Sequence, residues 1–189
     1  MKKIILILLI FTFTFCKQTQ ELTWEVKFQK GQTQESVPIN QIIQMVNGET
    51  FLFAVHPDKD AYCYIICYDS SREIMVLHDQ LIPGGQEKIF GAFQIEDPPG
   101  TETIYLIMSL ERQNNLESLI QNFHNNLESR QASNNLYREI LSLQNSVSRL
   151  GEPASSYVPG AGTARGASQQ HVTRFSGSNL YVRAITIRH

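Results

Sequence analysis

Cysteine is scarce, with three residues in a chain of 189, and the two that lie close in sequence are too far apart to bridge. Cys63 and Cys67 fall in Ala61-Tyr62-Cys63-Tyr64-Ile65-Ile66-Cys67-Tyr68, which reads as a strand. Four residues along a strand span about 13 Å, well past the ~7 Å Cα separation that a disulfide tolerates. The same span argues against one zinc ion held by both thiolates with His56 or His78. Both cysteines are expected to be small apolar core residues. Catalytic signatures are also missing: the sequence holds no His-Glu-x-x-His and no Gly-x-Ser-x-Gly. Gly160-Ala161-Gly162-Thr163-Ala164-Arg165-Gly166 lacks a preceding strand and the terminal Gly-Lys-Ser/Thr of a phosphate cradle, so it reads as a flexible loop. No catalytic residue, cofactor or metal ligand is assigned, although a triad assembled in space would leave no local trace.

No apolar run reaches the roughly 20 residues that a membrane-crossing helix needs. What stands at the N-terminus is shorter and differently built. Lys2 and Lys3 precede the apolar run from Ile4 to Phe15, broken only by Thr12 and Thr14, and Cys16 follows at once. That order is the n-region and h-region of an export signal. Phe13-Thr14-Phe15-Cys16 resembles a bacterial lipobox, with Phe where leucine and a small residue are usual, and looks like the looser boxes of spirochaetal lipoproteins. The expectation is a signal peptide over 1–15, a lipidated Cys16 as the new N-terminus, and a short tether over 16–21. Two or three acyl chains on Cys16 would hold the protein on a bacterial envelope membrane, because one chain alone holds only marginally. Nucleic acid is not an expected partner outside the cytoplasm.

At 42% apolar and 10% aromatic residues, the composition is that of a globular domain, not a disordered chain or a fibre. The expected fold is mainly β with α: an antiparallel β-sandwich-like domain, an inserted amphipathic helical hairpin and a C-terminal strand. The β-rich part covers 22–111. Leu22, Trp24, Val26 and Phe28 alternate onto one face of a first strand. Further strands are expected at Thr50 to Val55, Ala61 to Tyr68, Glu73 to His78, Ile89 to Ile95 and Thr101 to Ser109, with turns between them. Ile39 to Val46 could be a helical turn or a strand. Tyr62, Tyr64 and Tyr68 share a face opposite the cysteines, as core with hydroxyls at a polar rim or as an aromatic ligand platform.

From Glu111 the period lengthens. Leu116, Ile120, Phe123 and Leu127, then Leu136, Ile140, Leu143, Val147 and Leu150, mark two helices over 112–150, separated by the polar stretch Ser129 to Asn135. Their seam is expected to pack on the chain's own sheet; the alternative is an envelope protein partner. A Gly/Ala/Ser-rich loop over 151–178 leads to a last strand over 179–189. Residues 153–189 carry four Arg and no acid, against ten basic and 18 acidic residues in 16–152, so this basic tail is expected to pack on the acidic body.

Several motifs within 46–111 occur in a fixed order. Val46-Asn47-Gly48-Glu49-Thr50-Phe51 resembles a "G-E" strand entry, and Asp60-Ala61-Tyr62-Cys63-Tyr64-Ile65 with Tyr68-Asp69 resembles a "D-x-Y-x-Y" strand. Pro98-Pro99-Gly100-Thr101-Glu102-Thr103 is similar to a "P-G-T-E" turn. Together they resemble the domain of unknown function 4384, often found in bacterial envelope proteins beside signalling or peptidase-like domains. The family commonly has "L-F-P-N" where this chain has Val76-Leu77-His78-Asp79. The resemblance implies a β-rich accessory domain and carries over no catalytic residue. The resulting expectation is a non-enzymatic, membrane-anchored accessory, binding or scaffold module; the alternatives are a small hydrolase or a small-ligand-binding lipoprotein.

Overall fold

Alternation of apolar and polar side chains has one outlet, a sheet with a buried face, and the first strand shows it. Leu22, Trp24, Val26 and Phe28 are buried while the residues between them are half-exposed. The computed structural model describes residues 21–31, 36–149, 154–159 and 171–189. The expectations for the signal peptide, for Cys16 and for Gly160 to Gly166 lie outside the described residues. Strands β1 (Leu22–Lys30), β2 (Ser36–Val37), β3 (Ile43–Gln44), β4 (Thr50–Pro57), β5 (Ala61–Tyr68), β6 (Ile74–Ile82), β7 (Lys88–Gln94) and β8 (Thr101–Ser109) come first. Helices α1 (Asn114–Asn125) and α2 (Arg130–Arg149) follow, then β9 (Ala154–Pro159), β10 (His171–Ser178) and β11 (Leu180–Arg188).

The strands form two sheets. One has the order β7-β4-β1-β10-β9, with β2 also on β1; the other has the order β3-β11-β8-β5-β6. All pairings are antiparallel except β3 on β11. Trp24, Phe28 and Phe53 of the first sheet meet Cys63, Ile65, Leu106 and Ile185 of the second in one core. Each fully buried large side chain contributes about 1.5–3 kcal/mol of transfer free energy. The two sheets are also stitched at a corner. The Tyr181 hydroxyl donates to the Leu22 carbonyl at 2.9 Å and accepts from the Ser178 amide at 2.9 Å. The architecture is therefore the sandwich-like β fold with a helical pair that the patterning predicts.

The second sheet is buried on both faces. Tyr64, Ile66, Tyr105, Ile107 and Val182 point away from the sandwich core and pack against Leu116, Ile120, Phe123, Leu136, Ile140 and Val147. This explains why Ala61–Tyr68 is apolar on both sides, as central strands between two layers are. The hairpin's apolar seam is occupied by its own sheet, so it is not free to hold a partner.

Four local expectations need correction. Leu127 is not in the seam but 65% exposed in the turn after α1. The polar stretch Ser129 to Asn135 is not a linker: α2 starts at Arg130, and Ser129 Oγ caps it by accepting from the Ala132 amide at 3.3 Å. The 151–178 segment is not all loop, because β9 and β10 lie in it. Their composition hides this, since β10 owes its place to long-range pairing with β1, where Trp24 is opposite Phe175. The expected strand at Glu73 to His78 is longer, running to Ile82 beside the whole of β5.

Turn chemistry fixes which ends meet. Gly84 lies so close to the 57–60 turn that a Cβ on it would sit 2.5 Å from Lys59 Cα, and its amide donates to Asp60 Oδ1 at 2.8 Å. Lys59 Nζ donates to the Glu21 carbonyl at 2.7 Å, so the chain enters the sandwich at this same end. Ala61 pairs with Ile82 there, and Tyr68 with Ile74 at the opposite end. Eight strand residues separate the two ends, about 25 Å at ~3.3 Å per residue.

Candidate functional site

One cavity, of about 490 Å³, lies beside Ile39, Phe175 and Val182, and two others open at the end away from Glu21. The larger, about 800 Å³, lies between the 69–73 turn and the tip of the helical hairpin. Tyr68 of β5 and Tyr137 of α2 line it, their rings stacked with centroids 4.5 Å apart. Tyr105 meets Tyr137 edge-on at 6.3 Å, and its hydroxyl pKa is raised, first by burial and then by its hydrogen bond to Tyr137. Arg72 and Glu73 enter from the turn, and Glu128, Arg130 and Asn134 from the hairpin. These five side chains are exposed and make no hydrogen bond or ion pair among the described residues.

The turn itself is tightly drawn. Asp69 Oδ1 accepts from the Glu73 amide at 2.7 Å, and the Arg72 amide donates to the Asp69 carbonyl at 3.0 Å. This closure leaves Arg72 at φ 66, in the left-handed region. A residue with a Cβ there costs about 1–2 kcal/mol that glycine avoids. Sequence pattern places Tyr68 but misses Tyr137, which comes to the same wall only because α2 folds back over β5. The one available signal was that Tyr137 follows the seam residue Leu136.

Of the predicted tyrosines, Tyr64 has a structural task. Its hydroxyl accepts from the Gln113 amide at 3.1 Å and donates to Glu117 Oε1 at 2.7 Å, pinning the start of α1, which has no side-chain cap of its own. Arg112 completes the contact by pairing with Glu117 at 3.0 Å and lying over the Tyr62 ring.

The second cavity, about 360 Å³, opens between the sheets beside Cys67, Phe93 and Glu102. Glu102 is the hub of a polar chain. Its Oε1 lies 3.2 Å from His189 Nε2 and accepts from the Ser70 amide at 3.3 Å; its Oε2 lies 3.7 Å from Cys67 Sγ. His189 Nδ1 meets Asn47 Oδ1 at 2.8 Å, and Asn47 in turn donates to Asp97. The His189 side chain is fully buried, and both ring nitrogens are engaged, neither by a hydroxyl or thiol. Ser70 Oγ donates instead to the Pro98 carbonyl at 3.1 Å. The acid–histidine half of a nucleophilic site is thus present without a nucleophile on the ring.

The thiol nearby is not activated. Burial, then the charges of Glu102 and Asp69, push the Cys67 pKa up to about 12, so the thiol stays protonated at neutral pH. Cys63 is fully buried and its pKa is raised by the same loss of solvation. Both are free and in the core as expected. Cys63 and Cys67 should therefore resist alkylation by iodoacetamide at pH 8 in the native protein and react fully in urea. Rapid native labelling of either, read by peptide mass, would contradict this packing.

His56 and His78 do not meet the cysteines at a metal site, and no group of three or more ligating side chains occurs among the described residues. His78 lies against Phe90 at 4.9 Å, with Nε2 buried and unpartnered among the described residues. Its pKa is lowered from 6.5, first by burial and then by the Lys88 charge, against smaller opposing effects of Asp79 and the Gln80 backbone. A lowered native pKa means that the unfolded chain takes up the proton first. Stability should be complete above pH 6.5 and fall as pH drops towards the native value. Urea midpoints measured over this range should flatten in His78→Gln; an unchanged slope would assign the dependence elsewhere.

A two-sheet β domain backed by a helical hairpin, with a polar aromatic cleft at one end, is the class of protein that this geometry defines. No family model, curated protein or solved structure matches the chain. No described helix is long and apolar enough to cross a membrane.

Proposed function

We propose that the chain is a non-enzymatic lipoprotein of a bacterial envelope, anchored through acyl chains on Cys16, and that it acts as a binding module through the end remote from that anchor. The observation that carries the reading is the opposition of ends. Glu21, to which the tether over 16–21 leads, is held by Lys59 at one end of the sandwich, and the Tyr68–Tyr137 cleft opens at the other. An anchor at the first end would aim the cleft away from the bilayer, where a partner or ligand in the adjoining compartment could reach it. The order Lys2-Lys3, apolar run, Cys16 supports the anchor. The motifs resembling the domain of unknown function 4384 support an accessory role and rest on their own residues.

Envelope partners, on this reading, meet the distal rim or the polar outer face of the hairpin and not its apolar seam. A hydrolase is the second reading, favoured only by the contact of His189 with Glu102 beside the inter-sheet cavity. It would require a nucleophile to displace Asn47 from the ring. The anchor is tested by the intact mass of the N-terminal peptide from the native protein. A peptide beginning at Cys16 and carrying diacylglyceryl and acyl mass is expected; an unmodified one would end the proposal.

A further inference from the structure

We propose that the distal cleft is a binding site for a neutral oligosaccharide, a sugar ring lying on the Tyr68–Tyr137 wall and its hydroxyls held by Arg72, Glu73, Glu128, Arg130 and Asn134. The inference rests on the distal end being the binding end, and it names the ligand class. Charge comes first. The two arginines and two glutamates on the cleft cancel, so neither an isolated anion nor an isolated cation finds an unopposed partner there. Chemistry points the same way. The five side chains offer donors and acceptors together and have no protein partners among the described residues, which suits a ligand whose every hydroxyl both donates and accepts. Tyr68 and Tyr137 cover each other's inner faces by stacking, so the outer ring face and edges on the cleft supply the apolar surface against which the C–H face of a pyranose can pack, with a hydroxyl at the edge. The volume of about 800 Å³ lies within the range of about 300–1,000 Å³ usual for small-molecule sites.

Arg72 provides an independent argument. At φ 66 glycine would be at ease, yet the position carries the long donor side chain that reaches the cleft. Strain kept where a neutral alternative exists is a mark of functional sites.

The test uses the full-length chain in a sugar-free detergent, with chitotetraose, cellotetraose and maltotetraose as probes in calorimetry and saturation-transfer NMR. At least one tetrasaccharide should bind in the micromolar to millimolar range, with saturation strongest on C–H protons of one ring. Arg72→Gly and Asn134→Ala should each weaken binding about 2- to 10-fold, the worth of one hydrogen bond. Arg72→Gly should at the same time raise the thermal midpoint by a few degrees, so that stability and affinity move in opposite directions. The proposal is overturned if no tetrasaccharide binds, if both variants bind like the wild type, or if inorganic sulfate or spermidine binds more tightly than every sugar. Phase partitioning of the same sample keeps the anchor separate: lost sugar binding with an intact detergent-phase protein defeats this inference alone.

Discussion

Cys16→Ala is expected to move the protein almost wholly from the detergent-rich phase to the aqueous phase on cloud-point partitioning, and from the membrane to the soluble or unprocessed fraction of cells. The expected effect is large because burial of acyl chains is additive, at about 0.8 kcal/mol per methylene. Two chains of ordinary length anchor a protein stably where one holds only marginally, and the described residues offer no substitute. No described helix is long and apolar enough to span, and the apolar face of the hairpin is spent on its own sheet. The scattered exposed apolar residues, such as Ile42, Val46 and Ile89, include none that would replace an acyl anchor. Retention of the Cys16→Ala protein in the detergent phase would show that something other than an acylated thiol holds it there.

Trp24→Ala should cost about 3–5 kcal/mol in urea unfolding, the range for truncating a large aromatic in a core and a large part of the 5–15 kcal/mol that a domain commonly has. Trp24 is fully buried, stacked on Phe175 at 4.6 Å and edge-on to Tyr181 at 5.9 Å, so it ties β1 to β10 and, through Tyr181, to the second sheet. Trp24→Phe should cost less than half as much. The indole Nε1 is buried without a hydrogen-bond partner among the described residues, and removing such a group recovers about 1–3 kcal/mol of desolvation that offsets the lost volume. Equal losses for the two variants would mean that Nε1 is satisfied in solution, and a loss below about 1 kcal/mol for alanine would place Trp24 outside the core.

Strand and helix identity was legible wherever burial follows a simple period. β1, β5, β8 and β11 announce themselves because a two-residue alternation, or an apolar run between turns, can be buried only as a strand. The seam of α1 and α2 announces itself through spacings of three and four. Legibility failed where the buried partner is distant in sequence. β10 has Ser, Gly and Thr among its residues, and only its pairing with β1, about 150 residues earlier, makes Phe175 a core residue. Leu127 failed for the opposite reason. It continues the helical period on paper, but α1 stops at Asn125 and leaves it in water.

The candidate site divides along the same line. Tyr68 could be read from its strand, but its stacking partner Tyr137 could not, nor could the meeting of His189 with Glu102 across 87 residues. By itself the sequence determined a β-rich core and a pair of amphipathic helices, because periodicity and composition are local and act without knowledge of the rest of the chain. Only the tertiary structure decided that the hairpin covers its own sheet, that the cleft forms beside the strained turn at Arg72, and that it opens at the end remote from Glu21. Those facts depend on which distant segments share a surface, and no stretch of residues carries that information alone.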